Sequence, residues 1–439
     1  MPDNESQHTS ASASRHPSPG IERILAYTRI AAGTSQIVDL LVRIVSPENI
    51  TPNAERPPLN IGLVIDRSGS MSGAKLHQAR EAARYCVRQL GKRDRVSVVT
   101  FDDEVRTVVH GRQVADPAPI LHAIGEIEAG GSTALFDGWT RGAEEVGSGF
   151  VEAGINRVIL FTDGQANAGI TDPPAFERWA AELAARGIET STIGIGNDFQ
   201  EDLLEAVARL GGGTSWYAET PDDFPRIFEH EFGRLAAQMG NRVSLGIEPE
   251  PGVRVAGVLN GFAKNSLGRF KLPSLVHGTT LDVVVRLEVP ELSEGADRKL
   301  ATLRLAWTPQ GAASDRRVVL RKSVRIDVVA PEVAAGVPAD ARVVKAVEFL
   351  LGVEIRREAI RLLDRGDVEG AIEVVRRARR RAARALAACA DEPDVVEHLE
   401  RLDELGRELV DRADLMRSRK RMRSEAHLQA RSIPSKGWR

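Results

Sequence analysis

The residues best placed to do chemistry are Asp66, Ser68 and Ser70, in the run Asp66-Arg-Ser68-Gly-Ser70-Met71. They fall at alternate positions directly after Asn60 to Ile65, an apolar run that reads as a buried strand. A loop turning at the carboxyl end of such a strand can aim all three side chains at one point, where open α/β sheets bind ligands. One carboxylate and two hydroxyls are hard oxygen donors, suited to Mg²⁺ or another hard divalent ion. Two later segments fit the same point. Gly130-Gly131-Ser132-Thr133 precedes a helical stretch and offers another hydroxyl; Thr162-Asp163-Gly164 ends a further strand and offers a second carboxylate. Helix capping is the plainer reading of Asp66, Ser68 and Ser70. Capping explains one hydroxyl, not five oxygen groups in three segments.

These segments need a sheet to bring them together. From Leu59 to about Gly240, short apolar runs alternate with amphipathic helical stretches. That alternation predicts a doubly wound α/β domain, with a mostly parallel sheet covered by helices on both faces. The strand from Val105 has too short a connection for a crossover helix, so it is expected as an antiparallel edge. From Arg242 to Val329 the pattern is β-like and punctuated by Gly and Pro, as for a small β-sandwich. Its strands are few, and two β-like runs at Ile24 to Ile30 and Ile37 to Val45 are expected to complete it. The α/β domain is then an insertion in a β domain. Ala339 to about Met422 reads as three helices, a C-terminal hairpin or bundle, with breaks at Gly366-Asp367 and Asp391 to Pro393. The expected division is a disordered tail over 1–20, strands joining the sandwich over 21–48, the α/β domain over 58–240, the sandwich over 241–330, helices over 339–425 and a tail over 426–439.

The Asp-x-Ser-x-Ser motif at Asp66, the loop Thr133 and the strand-end Asp163, in this order on these elements, resemble the von Willebrand factor A (vWA) family. The resemblance covers roughly Leu59 to Gln238 and extends to Thr192-Ile-Gly-Ile-Gly-Asn-Asp-Phe199. It implies a complete metal-ion-dependent adhesion site (MIDAS). Ser68, Ser70 and Thr133 would face the metal, and Asp66 and Asp163 would hold it directly or through water. With only two carboxylates around it, the ion stays electrophilic, and a partner's Asp or Glu can complete its shell. Mg²⁺, Mn²⁺ or Ca²⁺ is the implied cofactor. The whole layout resembles a group of bacterial vWA proteins with a flanking sandwich and helical segment. Relatives of that group act as scaffolds or adaptors, some beside AAA+ ATPases of the MoxR type, which are therefore an implied partner.

The remaining features narrow the function. Net charge is −3 over 439 residues, too small to argue for nucleic acid or a membrane surface. Arg376-Arg-Ala-Arg-Arg-Arg381 is the most basic run, but an apolar stripe through Ile372, Val375, Ala378, Ala382, Leu386 and Cys389 makes the arginines the solvated face of a packed helix. Cys86 and Cys389 lie apart inside helical patterns and read as buried apolar residues. No stretch reaches the ~18 apolar residues of a membrane span. The first twenty residues lack the apolar core of a signal peptide, so a cytoplasmic location is expected. Asp137 reads as a residue that supports the ligands from behind or starts the helix, not as a ligand; Asp102 and Asp103 read as solvated turn residues, and Met71 as packing. No triad or P-loop signature is present, and no spare His, Glu or Lys is placed at the site. The expectation is a cation-dependent protein-interaction module or scaffold and not an enzyme. The alternatives are a metal-dependent hydrolase using the same ion, or a nucleic-acid adaptor using the arginine-rich helix.

Overall fold

The computed structural model describes residues 18–48, 56–152, 154–163, 166–196, 199–220, 223–310, 316–411 and 415–432. The tail expected over 1–20 lies outside these residues up to position 17. The chain starts with β1 (Gly20–Leu25), β2 (Arg29–Ala31) and β3 (Gln36–Val45). The α/β unit follows: β4 (Leu59–Asp66), α1 (Ala74–Gln89), β5 (Arg95–Phe101), β6 (Val105–Gln113), α2 (Ala118–Gly125), α3 (Leu135–Ser148), β7 (Ile155–Thr162), α4 (Pro173–Ala185), β8 (Ile188–Ile195), α5 (Glu201–Leu210), β9 (Gly212–Ala218) and α6 (Asp223–Ala236). Then come β10 (Gln238–Pro249), β11 (Arg254–Val258), β12 (Phe270–Lys271), β13 (Leu275–Val276), β14 (Thr280–Val289), β15 (Gly295–Pro309) and β16 (Val318–Val329). The chain ends in α7 (Pro331–Ala335), α8 (Ala341–Asp364), α9 (Val368–Ala385), α10 (Pro393–Asp411) and α11 (Leu415–Ala430).

The α/β sheet has the order β6-β5-β4-β7-β8-β9. Every neighbouring pair is parallel except β5 with β6, the antiparallel edge. Helices cover both faces, so β4 and β7 are buried at every residue and show no alternation of apolar and polar positions. α3 lies close on this sheet because it faces it with glycines. A Cβ on Gly142 would stand 2.2 Å from Val64, and one on Gly138 would stand 2.5 Å from the Phe101 ring.

The unit is inserted in a β-sandwich. One sheet has the order β1-β3-β14-β11; the other runs β12-β10-β15-β16-β2, with β13 beside β10. Leu40, Val42 and Ile44 of β3 point into the sandwich core, whereas Leu41 packs with Val284, Val343, Val353 and Ala426 beneath α8 and α11. This sheet is covered on both faces, which is why β3 reads as a nearly continuous apolar run. The single strand expected over Ile24 to Ile30 is two. β1 pairs with β3, and β2 crosses to the other sheet to pair in parallel with β16, as strands do at a sandwich corner.

The C-terminal region corrects the expectation further. It holds four long helices, not three, and α11 extends to Ala430 where a tail from 426 was expected. Leu428 of α11 is fully buried in the α/β core. Burial of one such leucine contributes ~1.5–3 kcal/mol. The helix also shields the edge strand β9, because His427 Nε2 accepts the Ser215 N–H at 3.3 Å. In α9 the apolar stripe from Ile372 to Leu386 is buried, and Arg376, Arg377, Arg380 and Arg384 face solvent. Cys86 is buried as expected, but Cys389 is only half-buried. No helix among the described residues is long and apolar enough to cross a membrane.

Candidate functional site

β4 is flanked by β5 on one side and β7 on the other. The crossovers leave β4 in opposite directions, so a crevice opens at the carboxyl ends of β4 and β7. The register sets Ile65 opposite Phe161, which brings Asp66 and Thr162 to the end of adjacent strands.

Asp66 is fully buried. Its Oδ1 accepts the Ser68 backbone N–H at 2.8 Å, and its Oδ2 accepts the Thr162 hydroxyl at 2.5 Å. No ammonium or guanidinium pairs with it among the described residues. Burial raises its pKa from 3.8 to about 6; hydrogen bonds from Ser68 and Thr162 offset part of this, and the nearby Asp163 adds to it. The folded-state value lies above the unfolded one, so stability falls as pH rises from 3.8 to about 6. At neutral pH the ionised carboxylate is a cost to the metal-free fold.

The other oxygens form a chain beside it. Ser68 Oγ lies 3.1 Å from Ser70 Oγ, and Ser70 Oγ donates to Asp163 Oδ1 at 2.9 Å. Ser68 and Asp163 are buried, whereas Ser70 sits at the exposed rim. Asp163 Oδ2 accepts Lys75 Nζ at 2.5 Å. Met71 is fully buried, as packing requires.

Thr133 reaches this end of the sheet through its loop, which is pinned from two sides. Gly69 N–H donates to Gly131 O at 2.8 Å, and Gly130 N–H donates to Arg67 O at 2.7 Å. From the third segment, Asn167 Oδ1 accepts the Thr133 N–H at 2.8 Å. The Asn167 and Ala168 N–H groups donate in return to Thr133 O, each at 3.3 Å. The segments carrying Asp66, Ser68, Ser70, Thr133 and Asp163 therefore meet in one place. Asp137 stands exposed in the first turn of α3, a helix-start position.

Three participants were not read from the sequence. Asp102, expected as a solvated turn residue, is buried. It pairs with Arg67 at 2.7 Å and accepts the Gly131 N–H at 3.1 Å, so it braces one loop against the other. It also explains the glycine pair. A Cβ on Gly130 would lie 1.8 Å from Asp102 Oδ2, and one on Gly131 would lie 1.8 Å from Asp103 Oδ1. Lys75, in the first turn of α1, stands at a site expected to have no lysine. Asn167 holds the Thr133 loop through its side-chain oxygen. None of the three has a local sequence signal, because each works through a contact between segments far apart in the chain.

The donor set suits a hard divalent cation. Asp66 is a buried carboxylate without a cationic partner among the described residues, and hydroxyl and carboxylate oxygens stand beside it. Among the described residues no three His, Cys, Asp or Glu side chains gather to hold an ion by themselves. Serine and threonine hydroxyls are therefore needed to complete a coordination set, as hard ions accept and soft ions do not.

The family model of the von Willebrand factor type A domain matches residues 60–230. The uncharacterized protein YfbK of Escherichia coli (strain K12) is 28% identical over 287 residues, 59% of this chain and 50% of that protein. The uncharacterized protein sll0103 of Synechocystis sp. is 31% identical over 195 residues, 44% of this chain and 46% of that protein. The chain thus spans about half the length of these curated relatives. A solved von Willebrand factor type A structure from Catenulispora acidiphila superposes with a TM-score of 0.70 at 16% identity, covering 97% of this chain and 99% of that one. At that identity the likeness speaks to fold alone, and it includes the sandwich and the helices. Residues 60–230 of this chain thus match the von Willebrand factor type A domain, a family of general protein-interaction and adhesion modules.

Proposed function

We propose that this chain is a divalent-cation-dependent protein-interaction module or scaffold and not an enzyme. A single observation carries the reading: Asp66 is buried and pairs with no cation among the described residues, yet lies beside the hydroxyls of Ser68 and Ser70 and the carboxylate of Asp163. Asp66, Ser68, Ser70, Thr133 and Asp163 would hold Mg²⁺, with Mn²⁺ or Ca²⁺ as substitutes. The bound ion supplies an electrophilic position for an outside carboxylate. The exposure of Ser70 at the rim supports the approach of a partner's Asp or Glu from that side. A MoxR-type AAA+ ATPase is one candidate partner. Hydrolysis would need a general base beside the ion. Among the described residues there, Asp66 and Asp163 are the proposed ligands, Lys75 is paired to Asp163, and Asp102 is held by Arg67.

Affinity capture from native lysate tests this, using wild type and S68A/S70A, each in Mg²⁺ and in EDTA. The expected result is a protein retained only by wild type in Mg²⁺. Retention that is equal in all four conditions would move the function to the sandwich or the helices.

A further inference from the structure

Lys75 holds the only charge among the first residues of α1, and that first turn contains no acidic residue. A cation there opposes the helix dipole, whose positive end lies at the N-terminus. The position is nevertheless built for it. The ammonium lies 2.5 Å from Asp163 Oδ2, while the other oxygen of the same carboxylate accepts the Ser70 hydroxyl. The lysine stem runs over Gly196, where a Cβ would stand 3.2 Å from Lys75 Cε. Gly196 also has φ +68°, a conformation that glycine adopts freely. Asp163 is 0% exposed, but the Lys75 side chain is 27% exposed and borders water.

We propose that Lys75 is the resident counter-cation of this site: it neutralises Asp163 in the metal-free protein, and a divalent ion has to displace it. This rests on the metal reading of the site. Asp66 and Asp163 are then treated differently. Asp66 waits without a cation, whereas Asp163 exchanges an ammonium for the metal. Lys75 therefore sets how tightly the site holds its ion. It weakens binding twice, by occupying a ligand oxygen and by placing a positive charge beside an incoming positive ion. The segment around Gly196 gains an interest in metal occupancy, because the lysine stem lies on it.

Mn²⁺ affinity of the full chain, read by electron paramagnetic resonance, tests this on wild type, K75Q and K75R. Near-ultraviolet circular dichroism checks the fold of each variant. The expected result is Mn²⁺ binding by wild type, at least tenfold tighter binding by K75Q, and binding by K75R close to wild type. K75Q binding no tighter than wild type would overturn the proposal and leave the metal reading standing. K75R tightening as much as K75Q would also overturn it, because charge would not be the cause. Absence of Mn²⁺ from all three would contradict the metal reading and this proposal with it.

Discussion

Strand β7 connects two clusters of buried acids that are neutralised in different ways. At its start, Arg157 is buried between Glu231 and Glu189. Its guanidinium lies 2.6 Å from Glu231 Oε1, and Glu231 also accepts from Ser191 Oγ at 2.5 Å and Trp216 Nε1 at 3.0 Å. Burial pushes Glu231 up, but Arg157 and these donors more than offset it, leaving its pKa below the usual value. At the other end, Thr162 and Ser68 donate to Asp66, which has no cation beside it among the described residues and is pushed up to about 6. The same sheet thus holds one acidic cluster completed by the protein's own arginine and one left incomplete. The first belongs to structure, reaching the sandwich where Ser274 Oγ donates to Glu189 at 2.9 Å. In the second, Asp66 has no such cation among the described residues.

Replacing Arg157 would break the completed cluster. R157M strands the buried Glu231 and the half-buried Glu189, and the expected loss is about 3–5 kcal/mol of stability in guanidinium unfolding. A loss below about 1 kcal/mol would show that Glu189 and Glu231 find water or other partners.

His398 marks a third solution, in which a buried titratable group stays neutral. It stacks on Phe349 with ring centroids 4.6 Å apart. Burial, followed by the charges of Arg356, Arg401, Arg381 and Arg379, pulls its pKa from 6.5 down to about 3. The unfolded chain binds the proton first, so stability is lost as pH falls from 6.5 towards about 3. The part due to His398 is roughly 2–4 kcal/mol across that window. H398Q should unfold at lower pH than wild type in an acid titration followed by circular dichroism. Superimposable acid transitions would show that His398 does not contribute.

At the incomplete cluster the sign reverses. D66N removes a buried charge, so in EDTA it should be more stable than wild type by about 1–3 kcal/mol. The same substitution should abolish any rise in Tm on adding Mg²⁺. A variant less stable than wild type in EDTA would mean that the carboxylate is already satisfied inside the fold.

What could be read from the sequence follows the same division. Asp66, Ser68 and Ser70 are legible because their spacing is local and their strand is uniformly apolar. Thr133 and Asp163 follow from their loops and strand ends. The edge strand at Val105 and the N-terminal strands of the sandwich were also legible, from connection length and strand count. Asp102 and Lys75 were not, since their partners lie in other segments. α11 escaped for a different reason. Its buried positions mix Ser418, Lys420 and His427 with Met422, Ala426, Leu428 and Ala430, so the apolar stripe by which a packed helix is recognised is interrupted. Lys420 is buried against the Phe199 carbonyl at 2.9 Å and Glu201 at 3.2 Å, and Arg423 pairs with Asp202. Burial of cations by exact pairing with another helix leaves no periodicity in the chain that carries them.

Calorimetric titration of Mg²⁺ into metal-free protein tests the central claim most directly, with wild type and D66N side by side. The account predicts one ion per wild-type chain and no binding heat for D66N. Binding that survives unchanged in D66N, or wild type that takes up no ion at millimolar Mg²⁺, would contradict it.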